Sequence, residues 1–179
     1  MNNLIIKNAA QVVTCSGFGG KSGAEMSKLH VIENGTVIVT KGIISHLLKR
    51  GENMPVNVAD YQVIDATGKA LLPGFVDPHT HFVFGGYREE EFSWRMRGDS
   101  YMSIMERGGG IVNTTAATRA ATEDELYHSA KQRLDDMLEL GITTVEGKSG
   151  YGLDRETELK QLRVMQRLNR DHPIDIVST

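Results

Sequence analysis

From residue 71 to residue 179 the chain alternates apolar runs with amphipathic helical segments, and this alternation restricts the fold more than any other feature. Thr122-Glu123-Asp124-Glu125 is a capping box, which opens a helix with acids near its positive end. Leu126, Ala130, Leu134, Met137 and Leu138 recur at helical spacing as its inner stripe, and Gly141 stands where a helix stops. Residues 142–146 are rich in β-branched side chains and read as a strand. Asp154 then caps a second helix, with Leu159, Leu162, Met165 and Leu168 inside. Asp171-His172-Pro173 ends it, and residues 174–178 form the next strand. Such an order gives parallel βαβ units with right-handed crossovers.

Residues 1–70 follow a different rule, that of short apolar runs broken by turn residues. Leu4-Ile5-Ile6, Val12-Val13-Thr14, Val31-Ile32-Glu33, residues 36–40, residues 43–47 and Val63-Ile64-Asp65 are expected as strands. Asn34-Gly35 is a hairpin signal between two of them, and Lys41-Gly42 separates the next pair. Even spacing of this kind predicts a small β-sandwich. The glycine cluster at 17–23 contains Gly20-Lys21-Ser22, but Cys15 stands where a phosphate loop needs its first glycine. Nucleotide binding is set aside on that spacing.

Between the first strand of the second region and its capping box lies a long stretch, residues 82–118, with weak periodicity and many polar groups. It is expected to be an irregular functional loop with one short helix near 100–107, and Gly108-Gly109-Gly110 as a hinge or tight turn. A net charge of -3 gives no reason to expect nucleic acid or an anionic membrane as a partner. Cys15 is the lone cysteine, so an internal disulfide is excluded. The start of the chain lacks the pattern of a signal peptide, and no run approaches a membrane span. A soluble cytoplasmic protein with a small-molecule substrate is the expectation.

Chemistry concentrates at residues 71–81, where an apolar run bounded by Pro73 and Pro78 ends in His79-Thr80-His81. Side chains two apart on a strand share a face, so both imidazoles are expected to converge on one point as a strand opens into a loop. Convergent imidazoles suit a transition metal, most often zinc or iron. His30, His46, His128 and His172 have no such setting and are expected to be ordinary surface, edge or helix-end residues.

The strand and its Pro73-Gly74-Phe75-Val76-Asp77-Pro78-His79-Thr80-His81 end, with Val63-Ile64-Asp65-Ala66-Thr67-Gly68 before it, resemble the first barrel strand of the metal-dependent amidohydrolase superfamily. Within it, three segments resemble the imidazolonepropionase family: residues 79–88, Gly108-Gly109-Gly110-Ile111-Val112, and residues 146–153. The resemblance runs from about residue 30 to the end. It implies an α/β protein that begins a (β/α)8 TIM-like amidohydrolase barrel after a small N-terminal β-sandwich. Residues 1–70 would be part of a composite sandwich and residues 71–179 the first β/α units. A closed barrel of this type takes about 250 residues, so the chain is expected to be the N-terminal part of a longer enzyme.

The same resemblance implies one zinc or iron ion held by His79 and His81, with a further histidine and an aspartate beyond Thr179. It implies Arg88 and Tyr151 as substrate contacts, and places the acid/base groups outside this chain as well. Lys148 is not at the position of the metal-bridging lysine of some amidohydrolases, and Glu146 would support the site from its strand end. A homodimer is compatible with the resemblance. The implied reaction is hydrolysis of the cyclic amide C–N bond of 4-imidazolone-5-propanoate to N-formimidoyl-L-glutamate in histidine degradation. The alternatives are another cyclic-amide hydrolase or deaminase of the superfamily, or a catalytically incomplete metal-binding fragment.

Overall fold

The computed structural model describes residues 3–17 and 19–179; Met1 and Asn2, at the start read against a signal peptide, and Phe18 of the glycine cluster lie outside the described residues. The chain forms two compact units, Met1–Pro73 and Gly74–Thr179.

The first unit is one five-stranded sheet. It comprises β1 (Leu4–Val13), β2 (Val31–Thr40), β3 (Ile43–Leu48), β4 (Gln62–Asp65) and β5 (Ala70–Leu71). β1 lies at the centre, antiparallel to β2 and parallel to β4 and β5. The two strands expected at 4–6 and 12–14 are a single strand, whose register with β2 shifts between Ile6 and Ala9. Asn8 takes φ +61 at that bulge and donates from Nδ2 to Asp65 Oδ1 at 3.1 Å. A short polar side chain tolerates the left-handed region better than the neighbouring apolar ones would.

Asn34-Gly35 does not reverse the chain. β2 runs straight through it, and the reversal into β3 falls at Lys41-Gly42, where φ is +53 and +83. Two successive positive φ values are what a two-residue hairpin turn of matching twist requires. Ala9, Val12, Val37 and Ala66 form the core of this unit, whereas Ile43 and Ile44 stay exposed. A second sheet facing this one is not among the described residues.

The second unit holds a parallel sheet ordered β6-β7-β8, built from β6 (Phe75–Thr80), β7 (Ile142–Gly147) and β8 (Asp175–Ser178). Pro73 bounds the apolar run as expected and lies between strands: Leu71 ends β5, and Phe75 begins β6. Phe75 and Val76 are 56% and 62% exposed, because β6 is the edge of the described sheet. Pro78 sits inside β6, where pairing with β7 slips between Asp77 and Thr80; an edge strand tolerates the missing donor.

α4 (Glu123–Glu139) and α5 (Arg155–Asp171) cover the sheet. Thr122 and Glu125 make the expected capping box, Gly141 (φ +88) follows the helix end, and Asp154 Oδ1 accepts from the Thr157 N–H at 2.8 Å. The inner stripes differ from the expected ones by a residue. Tyr127 is buried where Leu138 was expected inside, and Gln161 and Val164 are buried where Leu159 was; both leucines are exposed. Around them Phe82, Val83, Val145, Met165, Leu168, Ile174 and Ile176 close the core. Among the described residues no helix is long and apolar enough to cross a membrane.

Residues 82–118 are not an irregular loop. They contain α1 (Glu89–Met96), α2 (Tyr101–Glu106) and the start of α3 (Gly110–Ala120). Their apolar period is weak because α3 buries Thr114, Thr115 and Thr118 rather than aliphatic residues. The triple glycine is a packed junction, not a hinge. A Cβ on Gly109 would lie 2.7 Å from Ile104 Cγ2, and the Gly110 N–H donates to the buried Glu91 carboxylate. Lys160 on α5 closes the other end of α3, donating to the carbonyls of Thr118 (2.9 Å), Arg119 (3.0 Å) and Ala121 (2.6 Å). Those are the carbonyls a helix end leaves unpaired. Replacement Lys160→Met is expected to cost about 1–2 kcal/mol, measured by urea unfolding, through these lost contacts.

Candidate active site

Parallel strands bring the C-terminal ends of β6, β7 and β8 to one edge of their sheet, and the expected site residues gather there. His79 is near the end of β6 and His81 lies one residue past it. Their ring centres are 5.7 Å apart, with the planes at 61°. Two imidazoles bound to one tetrahedral ion, each about 2 Å from it, would bring their ring centres to about 5 Å. His81 Nδ1 is buried with no hydrogen-bond partner, while His79 is exposed. A buried imidazole nitrogen left unpaired is costly, and a metal is one ligand that would satisfy it. Among the described residues no cluster of three or more His, Cys, Asp or Glu groups could hold an ion. The pair therefore fits part of a coordination shell.

Tyr151 stands beside this pair, its ring 5.1 Å from that of His81 and 6.0 Å from that of Phe84. Tyr151 and Arg88, far apart in sequence, line one cleft of about 270 Å³ with Phe84, Gly86, Tyr87 and Thr114. Arg88 precedes α1, and its Nη1 is 4.0 Å from Glu91 Oε2, with 41% of the side chain exposed. At that distance the guanidinium is biased by Glu91 but keeps its donors available for a second carboxylate.

The segment carrying Arg88 is held from two sides. Arg133 on α4 donates to the carbonyls of Phe82 (2.9 Å) and Phe84 (3.3 Å), and its guanidinium carbon lies 3.7 Å from the Phe84 ring centre. Thr118 Oγ1 accepts from the Gly85 N–H at 3.0 Å and donates to the Thr114 carbonyl at 2.7 Å. A Cβ on Gly85 would fall 2.6 Å from the Ala117 carbonyl oxygen. Gly85→Ala is therefore expected to push this segment off α3 at a cost of about 1–3 kcal/mol, read as a lowered unfolding midpoint.

Glu146 ends β7 toward the same edge. Lys148 Nζ donates to its Oε1 at 2.7 Å, and Thr179 Oγ1 donates to the same atom at 3.1 Å. The hydrogen bond from Lys148 holds the Glu146 carboxyl below its usual value against a smaller upward push from burial. Lys148 is thus occupied in a local ion pair.

The loop that bears Tyr151 is pinned by Glu158, whose Oε1 accepts from the N–H groups of Gly152 and Leu153, both at 2.8 Å. Burial pushes the Glu158 carboxyl up, but the donors, led by the Leu153 N–H, outweigh it and hold it below its usual value. With a depressed folded value, its contribution is present above the ordinary carboxylate range and lost as pH falls through the folded value. Hydrogen exchange at Gly152 and Leu153, corrected for its intrinsic pH dependence, is expected to speed up only once the pH has fallen below the ordinary carboxylate range.

Of the remaining histidines, His172 is a buried structural residue. Its Nε2 lies 3.1 Å from Asp135 Oδ1, and its Nδ1 accepts from the Ile174 N–H at 3.2 Å. His128 bonds its own helix at the Asp124 carbonyl and is exposed, as are His30 and His46. Sequence reasoning missed Glu91, Thr118, Arg133 and Gln161 as supports of the site. None of the four belongs to a local motif that marks it.

Residues 62–119 match the amidohydrolase family. Across 99% of its length the chain is 62% identical to an imidazolonepropionase of Clostridium tetani, of which it covers 42%. It is 59% identical to an imidazolonepropionase of Parabacteroides distasonis, covering 43% of that protein. It spans, then, less than half the length of these curated relatives. Among solved structures, an atrazine chlorohydrolase of Arthrobacter aurescens, complexed with zinc and atraton, is similar with a TM-score of 0.62 at 17% identity. That match covers 98% of this chain and 35% of the other, and it bears on the fold alone. The parallel strand edge, the His79–His81 pair and these similarities agree: over almost its whole length the chain is similar to the N-terminal portion of imidazolonepropionases, and residues 62–119 match the amidohydrolase family.

Proposed function

We propose that this chain supplies part of an enzyme that hydrolyses the cyclic amide C–N bond of 4-imidazolone-5-propanoate to N-formimidoyl-L-glutamate in histidine degradation. The observation that carries the reading is the meeting of Arg88 and Tyr151 in one cleft whose wall continues through Tyr151 to His81 and His79. In this reading residues 1–70 belong to a composite β-sandwich, and residues 71–179 begin a (β/α)8 barrel whose later strands complete the site. The setting is cytoplasmic, in keeping with a lone cysteine.

His79 and His81 would hold one zinc or iron ion together with ligands from outside the 179 residues. When bound, such an ion supplies Lewis-acid polarisation of the substrate carbonyl and lowers the pKa of a water molecule. Arg88 would receive the propanoate carboxylate through paired, charge-assisted hydrogen bonds. The Tyr151 phenol would bond the ring, and the flanking rings of Phe84 and Tyr87 would exclude water from it. An amidohydrolase acting on a substrate without a carboxylate has no comparable need for Arg88 at the cleft. Because the described donor set is incomplete, the 179 residues alone are expected to be inactive.

The test compares the 179-residue chain with one extended to the length of its relatives, following the loss of imidazolonepropanoate absorbance. Turnover by the longer chain and none by the shorter is the expected result. A longer chain that binds metal yet leaves this substrate intact would retain the fold and sink the substrate assignment.

A further inference from the structure

Gln161 lies on the face of α5 that also buries Val164, Met165 and Leu168, and it is 0% exposed. A primary amide in a core costs free energy unless both of its ends are bonded. Both are. Nε2 donates to the Val83 carbonyl at 3.2 Å, and Oε1 accepts from the Gly150 N–H at 3.2 Å.

Those two partners belong to the two loops that carry the candidate site. Val83 follows His81 by two residues, and Gly150 directly precedes Tyr151. The loops touch at the site, where a Cβ on Gly150 would come within 3.2 Å of His81 Cε1. One side chain bonding both loops from beneath fixes their separation. It carries a donor and an acceptor at the same reach: leucine or methionine would leave the Val83 carbonyl without its donor and the Gly150 N–H with only the neighbouring Glu158 carboxylate, and a carboxylate at 161 could only accept.

We propose that Gln161 is a positioning residue, which sets the spacing between the His81 loop and the Tyr151 loop and so the fit of substrate against Tyr151. The inference rests on the reading of Tyr151 as a substrate contact. A displacement of about 1 Å in such a contact is enough for large kinetic losses.

The test uses the chain extended to the length of its relatives, with Tyr151→Phe, Gln161→Met and the double variant. Tyr151→Phe is expected to raise KM about 5–10-fold through one lost hydrogen bond. Gln161→Met is expected to raise KM about 10-fold with a smaller change in kcat. The double variant should be little worse than Gln161→Met alone, since the two changes act on one contact. Multiplying effects, or a lowered Tm with KM unchanged, would make Gln161 a core residue only and overturn the inference. If Tyr151→Phe itself leaves KM unchanged, both this inference and the role of Tyr151 fall. Should Gln161→Met fail to fold, hydrogen exchange of the unsubstituted protein decides. The Gly150 N–H should exchange as slowly as the amides of β7, and exchange at the rate of an open loop overturns the inference.

Discussion

Replacing His79 and His81 together by alanine is expected to abolish metal binding and, with it, at least about 10³-fold of turnover in the chain extended to its relatives' length. A catalytic zinc site keeps three protein ligands. Losing two leaves only the further histidine and aspartate implied beyond Thr179, fewer than the three protein ligands that hold a catalytic ion. Elemental analysis should find about one ion per unsubstituted chain and close to none per double variant. The fold should survive the change, because His79 is exposed and His81 lies past the end of β6, outside the core under α4 and α5. A double variant that keeps its metal would remove both histidines from the ligand set. Retained folding, read from the circular dichroism, separates that result from collapse of the unit.

The second large effect is expected at Arg88. Two charge-assisted hydrogen bonds to a carboxylate are together worth about 3 kcal/mol, so Arg88→Met should raise KM for the propanoate substrate about 100-fold with kcat nearly unchanged. Arg88→Lys keeps the charge but not the planar fork and should recover about a tenth of the loss in affinity. Stability should move little, because Glu91 keeps the Gly110 N–H as a partner when the guanidinium is gone. The decisive comparison is a substrate analogue whose carboxylate is an amide. It should bind the unsubstituted protein and Arg88→Met alike. If the variant still distinguishes the two compounds, the carboxylate is recognised elsewhere.

The two helices that cover the parallel sheet were plain in the linear pattern, since capping boxes and helical stripes are local. Thr122 with Glu125, Asp154, and Gly141 lie where their chemistry put them. The His-x-His pair was legible for the same reason, because two-residue spacing on an extended chain is a local fact. Errors came where a local signal competes with long-range pairing. Asn34-Gly35 is a good turn sequence and Asn34 does take a positive φ of +50, yet β1 pairs with β2 on both sides of it and the strand continues. Leu138 and Leu159 fit an inner stripe, but the arc each helix buries is set by its neighbours, which chose Tyr127, Gln161 and Val164 instead.

The segment from 82 to 118 shows the limit most clearly. A reading based on apolar periods finds little there, because α3 packs through threonines and α1 is anchored by a buried carboxylate. By itself the sequence determined the order of strands and helices from residue 122 onward, the ends of α4 and α5 and the two-residue spacing of the imidazoles, all consequences of backbone geometry over a few residues. Only the tertiary structure decided that Arg88 and Tyr151 share a cleft, that Gln161 bonds both loops beneath it, and that Gly109 and Gly110 pack against Ile104, Glu91 and Met105. These depend on which distant backbone groups meet, and an unpaired donor or carbonyl does not reveal its partner until the chain has closed around it.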